Sequence, residues 1–258
     1  MRRILITLVV LFAILFVGVG WLAPVALSFY TASQARAALR AVPIDLKDRS
    51  VSQAPGTKLS YIGYAFEVPW TDLDESKTEI EAKNDPGWGR VTLAFESGLS
   101  LAVLAEPPQG LGKHLTGDSR RRFERLLGPG TATSDYEFAK NAYEFTPDKM
   151  HHWNLSLALH VREQGLLVFK SGRVFEPAET GIFNLQSQNY RGFQQGDPRL
   201  RPDALILDLY SDDAVVKIFF IQGRYYESEG VTQPEINRVV QSLHRAAPTQ
   251  VATSTNQK

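Results

Sequence analysis

The chain has 258 residues, is formally neutral with 28 basic and 28 acidic residues, and contains no cysteine. This balance does not indicate nucleic-acid binding, which needs a clustered basic surface. The absence of cysteine excludes disulfides, thiolate metal sites, iron–sulfur clusters and cysteine nucleophiles. Beyond its amino-terminal segment, the chain is long enough for one domain, or at most two small ones, with a substantial core.

An uncharged apolar run near the amino terminus predicts a membrane span. Arg2 and Arg3 precede this run, which extends from Ile4 to Tyr30. As a helix, Ile4 to Ala23 would be roughly 30 Å long, the thickness of a hydrocarbon core. Fourteen of these residues are Leu, Ile, Val or Phe. We therefore predict a transmembrane signal anchor over 1–31, with the lipid bilayer contacted through residues 4–30.

The alternative to an anchor is a cleaved signal peptide. The one plausible cleavage pattern, Ala35-Arg36-Ala37, lies beyond the apolar run, and that run is longer than the 7 to 15 residues typical of signal peptides. Both observations favour retention. The amino terminus, Arg2 and Arg3 outnumber Arg36 and Arg40, which favours a cytoplasmic amino terminus. We expect a single-pass protein of a bacterial cell membrane with an extracytoplasmic carboxy-terminal domain.

A helical stalk is predicted over 32–42, and the folded domain over 43–245. Four segments in its first part are candidate strands, because they are rich in β-branched and aromatic residues or alternate in polarity. They are Ile44 to Val51, Leu59 to Val68, Arg90 to Glu96 and Ser100 to Ala105. The second is interrupted at Gly63 and is either one bent strand or a strand pair. The last two are predicted to form a hairpin around Ser97-Gly98-Leu99.

Capping signals predict three helices in the middle of the chain. The first carries Phe123, Leu126 and Leu127 and ends at Gly128-Pro129-Gly130. The second begins at a capping box of Ser134 and Glu137, and its buried stripe is Phe138, Ala142 and Phe145. The third begins at Thr146 and Pro147. It is expected to run to about Gly165, with one face formed by Met150, Trp153, Leu157 and Val161. Leu166 to Phe169 either continues this helix or begins a strand.

The last third is predicted to contain a strand, a hairpin and a helix. The strand is Gly181 to Gln188, and the hairpin joins Ala204–Tyr210 to Ala214–Gln222. Leu205, Leu207 and Leu209 form an apolar sheet face that we expect a helix to cover. That helix has a capping box of Thr232 and Glu235 and an apolar stripe of Ile236, Val239, Val240 and Leu243. A disordered tail is predicted over 246–258.

No motif for a metal, a cofactor or a catalytic centre is complete. Gly110-Leu111-Gly112-Lys113 lacks the first glycine and the final Ser or Thr of a phosphate-binding loop. His151 and His152 are adjacent, and neither is followed one helical turn later by a carboxylate or another histidine, so a metal site is not predicted. Asp72, Asp74 and Glu75 are interpreted as a solvated acidic loop, and the basic group around Arg122 as the solvated face of a short helix. We therefore predict no metal, no cofactor and no assignable catalytic residue.

The segment from Asn189 to Asp203 is predicted to be a long loop and is the candidate partner-binding site. Long loops without structure of their own are often functional, and aromatic and guanidinium groups dominate recognition surfaces. The residues concerned are Tyr190, Arg191, Phe193, Arg199 and Arg201. The competing interpretation places Phe193 in the core and gives the arginines a solubilising role.

Two segments carry a resemblance to a known family. They are Tyr64-Ala65-Phe66-Glu67-Val68-Pro69-Trp70 and the closing hairpin with the helix Ile236 to Leu243, which ends in Gln241-Ser242-Leu243. Together they resemble the opening strand and terminal helix of PsbP-like domains. Thr180-Gly181-Ile182-Phe183 and Gly192-Phe193-Gln194 are similar to segments of uncharacterised bacterial membrane-anchored proteins. The resemblance implies an antiparallel sheet between helices and a non-catalytic accessory or ligand-binding role, and it transfers no site residues.

These observations combine into one expected architecture. The fold class is α+β, with one amino-terminal transmembrane helix followed by a mainly antiparallel sheet packed against helices. The expected function is that of a membrane-anchored extracytoplasmic binding or assembly accessory module. The alternative is an exported hydrolase whose catalytic groups meet only in the folded protein.

Overall fold

A computed structural model of the protein describes residues 18–20, 22–82, 88–108, 121, 124, 134–171, 181–223 and 230–246. The helices are α1 (22–34), α2 (Ala37–Arg40), α3 (Asp135–Glu144), α4 (Leu157–Ser171) and α5 (Gln233–Ser242). The strands are β1 (Ile44–Asp45), β2 (Thr57–Tyr61), β3 (Tyr64–Val68), β4 (Leu73–Ala82), β5 (Gly89–Phe95), β6 (Ser100–Glu106), β7 (Ile182–Gln186), β8 (Arg191–Gln195), β9 (Ala204–Tyr210), β10 (Val215–Ile221) and β11 (His244–Arg245). Short 3₁₀ helices occupy Pro147–Lys149 and Pro198–Leu200.

The strands of the described part form two sheets. The larger sheet has eight strands in the order β1-β7-β8-β9-β10-β6-β5-β4, and the smaller has the order β11-β3-β2. Every neighbouring pair is antiparallel except β1 and β7, which are parallel. The predicted α+β class with a mainly antiparallel sheet is therefore confirmed.

Three predicted turns join antiparallel strands as expected. The interruption at Gly63 separates β2 from β3, and Ile62 and Gly63 adopt φ values of 50° and 78°. Two consecutive positive φ values match the right-handed twist of a tight hairpin. Gly98, with φ 95°, turns β5 into β6. In the last hairpin, the Ser211 N–H donates to the Ala214 carbonyl at 2.9 Å. The first candidate strand is shorter than predicted, because only Ile44 and Asp45 pair with β7. The predicted acidic loop is wrong, because Asp74 and Glu75 belong to β4, which pairs with β5.

The main core lies between the two sheets and α5. Leu205, Leu207 and Leu209 belong to the same buried cluster as the stripe on α5, which comprises Ile236, Val239, Val240 and Leu243. The predicted cover of this apolar face by a helix is confirmed. Its capping box is confirmed as well, since the Glu235 carboxylate accepts hydrogen bonds from the Thr232 N–H and hydroxyl, each at 2.8 Å.

Helices α3 and α4 form a second layer on the opposite face of the large sheet. Ala139 and Tyr143 of α3 pack against Phe193, Tyr210 and Val215 of the sheet. Adjacent strand residues point to opposite faces, so Tyr210 contacts α3 while Leu209 faces α5. The predicted stripe on α3 is buried and packs on α4 and Met150, as the cluster Phe138, Ala142, Phe145, Met150, Leu166 and Leu167 shows. Of the predicted capping box, the Ser134 hydroxyl accepts from the Glu137 N–H at 3.3 Å.

The third predicted helix is wrong in its start and in its face. Only Pro147–Lys149 is helical after Thr146, and α4 begins at Leu157. Of the predicted face Met150 is buried, whereas Trp153, Leu157 and Val161 are exposed. The buried side of α4 instead carries His160, Glu163, Leu166, Leu167 and Lys170. Polar side chains occupy this side because each finds buried hydrogen-bond partners, which an apolar pattern cannot reveal. Residues 166–169 continue the helix.

The predicted loop over 189–203 is also wrong. It contains β8 and the 3₁₀ helix Pro198–Leu200. Strand β8 does not alternate in polarity, because Gln194 and Gln195 are both buried in the middle of the sheet. Their amide nitrogens donate within the protein: the Gln194 Nε2 donates to the Gly196 carbonyl at 3.0 Å, and the Gln195 Nε2 donates to the Tyr143 hydroxyl at 2.7 Å.

The predicted stalk is two helices with a break at Ala35 and Arg36. Helix α1 packs on the domain, since the Ser28 Oγ lies 2.6 Å from the His152 Nδ1. Within the described residues, no helix has the length and apolar character needed to cross a bilayer. Residues 4–17 and 21 of the predicted span lie outside the described residues. The same is true of the segment 110–113 and of the tail beyond 246. Of the predicted helix at 123–127, only residue 124 is described.

Candidate functional site

A groove at one edge of the large sheet brings together residues of four elements. Its volume is about 570 Å³, and it lies between α3, the β7–β8 hairpin, the segment after β1 and α5. We call it the Arg191 groove, and its main lining residues are Arg49, Tyr136, Lys140, Asn184, Arg191 and Gln241. A second depression of about 450 Å³ adjoins it and shares Tyr136 and Arg191. Arg191, one of the predicted partner-binding residues, therefore lines both.

The Arg191 side chain is held by an aromatic ring. Its guanidinium carbon lies 4.4 Å from the centroid of the Tyr136 ring, a cation–π distance. Tyr136 in turn stacks on Phe193 with centroids 5.6 Å apart and an interplanar angle of 12°. Since Phe193 is completely buried, the exposed guanidinium rests on a rigid base. The groove therefore presents a positive group whose position is fixed before any ligand arrives.

Three cations from three separate elements surround the groove. Arg49 follows β1, Lys140 is on α3 and Arg191 begins β8. Within the part of the chain that the structure describes, none of them forms an ion pair with a carboxylate. Asp45 also lines the groove, but its carboxylate accepts a hydrogen bond from the Asn184 amide at 3.0 Å. The groove thus has an excess of unneutralised positive charge, which attracts anionic groups.

A glycine allows β8 to lie close to the next strand. A Cβ atom at Gly192 would be 2.0 Å from the Asp208 carbonyl oxygen, so no larger residue fits there. Gly192 separates Arg191 from Phe193, and these two side chains contact the same Tyr136 ring. The local sequence Arg-Gly-Phe therefore places a surface cation and a core aromatic on one side of the strand.

The structure separates the five residues predicted for partner binding. Tyr190 and Phe193 are buried, with 4% and 0% of their surface exposed, and are part of the core. Burial raises the pKa of the Tyr190 phenol. Arg191 lies in the groove described above. Arg199 and Arg201 instead line a different cleft of about 670 Å³ near Pro198 and Thr232. The five residues do not form one site.

In the cleft near Pro198, Arg199 forms an ion pair with Asp197. Its Nη2 lies 2.6 Å from the Asp197 Oδ2, and its Nε donates to the same carboxylate. This contact holds the pKa of the Asp197 carboxyl below its usual value. A neutralised pair offers less charge to a ligand than the cations of the Arg191 groove, so the Arg191 groove is the stronger candidate.

One of the two histidines considered above for a metal, His151, meets a buried carboxylate together with His160. The His151 Nδ1 lies 2.6 Å from the Glu163 Oε1, and the His160 Nδ1 lies 3.3 Å from the Glu163 Oε2. The His160 Nε2 lies 2.5 Å from the Asn154 carbonyl, so this nitrogen carries a proton and donates it. Among the described residues no group of three such ligands could hold a metal ion.

Sequence reasoning missed Arg49, Tyr136, Lys140 and Glu163. Tyr136 and Lys140 are four residues apart after the Ser134 cap, which places them on one face of α3. Glu163 follows His160 by three residues on α4, so that pair was detectable as well. Arg49 carried no signal, because only the pairing of β1 with β7 brings its segment to the groove.

Comparison with known proteins found no relative from which a role could be carried over. No protein-family model matches the chain, and no curated protein sequence matches it.

Proposed function

We propose that the protein is a membrane-anchored accessory module that holds an acidic segment of a partner protein in the Arg191 groove. The single observation that carries this proposal is the convergence of Arg49, Lys140 and Arg191 on one groove without ion-pair partners among the described residues. Three separated cations match a ligand with several carboxylates better than one small anion.

The membrane part of the proposal rests on the sequence and on the packing of α1. Residues 4–30 form an uncharged apolar run preceded by Arg2 and Arg3. Helix α1 contains the last nine residues of this run, 22–30, and contacts the domain through Ser28 and Phe29. A domain attached in this way would be held directly at the bilayer surface. The charge balance at the two ends of the run favours an extracytoplasmic domain.

The anchor and its orientation have direct tests. The full-length protein should stay with the membrane fraction after alkaline carbonate extraction, and its intact mass should include residues 1–37. Protease added to spheroplasts should digest the domain without lysis. Recovery of a soluble chain beginning at residue 38 would overturn the anchor, and protection of the domain until lysis would overturn its orientation.

The groove is tested with a labelled hexaglutamate peptide and the full-length protein in nanodiscs. We expect binding that weakens as salt is raised, because the interaction is between exposed charges. Arg191→Ala should weaken binding by roughly two- to fivefold, the effect of removing one exposed charge pair. The triple substitution of Arg49, Lys140 and Arg191 by alanine should abolish it. Hexaglutamine of the same length should not bind.

The matched control is Arg90→Ala. Arg90 is exposed on β5, near the other edge of the large sheet and opposite Glu81, so its removal should leave peptide binding unchanged. Equal binding by the triple variant and the natural protein would refute the groove. Binding of an anionic polysaccharide in preference to the peptide would refute the protein partner.

A further inference from the structure

Helix α4 has a mixed buried side, on which three polar residues accompany Leu166 and Leu167, and it exposes apolar side chains on its other side. Its buried side carries His160, Glu163 and Lys170, each completely buried. Its exposed side carries Leu157, Val161 and Val168, of which 55%, 56% and 68% of the surface is exposed. These three recur at i, i+4 and i+11 and so share one side of the helix. A helix between a core and water has the opposite arrangement.

The exposed apolar side continues into the preceding turn. Trp153 is 81% exposed and Leu155 is 47% exposed. We call Trp153, Leu155, Leu157, Val161 and Val168 the Trp153 patch. Isolated exposed apolar residues are ordinary, whereas a group of this kind marks an interaction surface.

The Trp153 patch lies beside the helix that leaves the predicted membrane span. The Phe29 ring of α1 stacks on His152 at 4.5 Å and meets the Trp153 ring edge-on at 5.2 Å. The Gln164 amide, on the apolar side of α4, donates to the Thr31 hydroxyl at 3.2 Å. Helix α1 therefore connects the anchor to the patch through direct contacts.

The position of Phe29 sets the depth of the patch. A helix over residues 4–30 would be roughly 40 Å long, which equals a bilayer including both headgroup layers. Phe29 would then lie at the level of the outer headgroups, and Trp153 beside it. Tryptophan concentrates at this level, where its ring is partly in hydrocarbon and partly hydrated. At that level the apolar side of α4 would face the boundary between headgroups and hydrocarbon.

We propose that the Trp153 patch is inserted in the outer leaflet of the same bilayer, so that α4 lies along the membrane surface. This inference rests on the anchor of the proposed function and is independent of the Arg191 groove. It means that the domain is held in one orientation on the membrane, with α4 toward the lipid.

Because the chain contains no cysteine, a single introduced cysteine can be spin-labelled without first removing any other. Single variants Val161→Cys and Val168→Cys of the full-length protein are labelled with a nitroxide in nanodiscs of phosphatidylcholine and phosphatidylglycerol. Accessibility to oxygen, which concentrates in lipid, is compared with accessibility to a water-soluble nickel chelate. Ala13→Cys in the predicted span reports the anchor, and Glu75→Cys on exposed β4 reports water.

We expect the oxygen-to-nickel ratio at 161 and 168 to lie between the ratios at 13 and 75. A lipid-like ratio at 13 with water-like ratios at 161 and 168 would overturn the patch and leave the anchor intact. A water-like ratio at 13 would overturn both. Exclusion of both reagents at 161 and 168 would show that a protein covers the patch and would also overturn the proposal.

Discussion

The Nζ of Lys170 donates a hydrogen bond to the Tyr143 carbonyl at 2.7 Å, joining the buried side of α4 to the end of α3. The same Nζ donates to the Ala41 carbonyl at 2.6 Å and to the Phe145 carbonyl at 3.1 Å. One completely buried ammonium group therefore ties together α4, the end of α3 and the segment after α2. Burial lowers the pKa of Lys170 to about 8.

Lys170→Met should destabilise the protein. Methionine fills a similar volume but leaves three carbonyl oxygens without this donor, and each buried polar group left unpaired is costly. We expect a loss of about 2 to 4 kcal/mol in the free energy of unfolding. Urea denaturation of the full-length protein in detergent micelles measures it. Lys77→Met, at an exposed lysine on β4, should change stability by no more than about 0.5 kcal/mol. Equal effects of the two substitutions would contradict the role of Lys170.

The stability of the protein should depend on pH through Lys170. Between about pH 8 and pH 10.5 the folded protein has lost this proton while the unfolded chain still binds it. The unfolded state then binds more protons, so this group's contribution to stability rises with pH, by up to about 1.4 kcal/mol per pH unit. The measurement is the difference in unfolding free energy between the natural protein and Lys170→Met at pH 7, 8, 9 and 10. A difference that does not change across this range would refute the lowered pKa.

Glu163→Ala should loosen the segment between α3 and α4. The Glu163 carboxylate accepts from the His151 N–H at 3.0 Å and contacts the rings of His151 and His160. Its removal leaves the buried His160 without a partner at Nδ1, at an expected cost of about 2 to 4 kcal/mol. Hydrogen exchange at residues 151–156 should accelerate. Glu163→Gln retains an acceptor oxygen and should lose less, while Glu75→Ala on the surface of β4 should leave exchange in this segment unchanged.

Two glycine substitutions should have opposite effects. Alanine at Gly192 would place its Cβ 2.0 Å from the Asp208 carbonyl oxygen, so β8 must separate from β9. We expect a loss of at least about 2 kcal/mol. Gly165 is exposed within α4 and has open space around it, so Gly165→Ala should stabilise the helix by about 0.5 to 1 kcal/mol. Thermal unfolding of both variants gives the comparison, and a stable Gly192→Ala protein would show that the strand can shift.

Local signals were enough to predict the elements whose stability is local or amphipathic. The turns at Gly63 and Gly98 follow from the need for positive φ, and α5 follows from its capping box and its apolar stripe. These turns and this helix could be predicted because each depends on neighbouring residues, or on one face being buried while the other is solvated. Strand β8 and helix α4 do not meet that condition. Gln195 and Lys170 are buried polar groups that donate to Tyr143 and Ala41, which lie 52 and 129 residues away along the chain.

By itself, the sequence determined the α+β class, the main hairpins, the closing helix and the apolar run from Ile4 to Tyr30, because backbone sterics and hydrophobic periodicity act over a few residues. Only the tertiary structure decided which charged groups meet. In the folded protein Arg49, Lys140 and Arg191 line one groove, whereas Arg199 and Arg201 line another cleft. The apolar side of α4 is exposed. Charges and polar groups pair across the fold, so their neighbours are set by the order and register of strands rather than by their spacing in the chain.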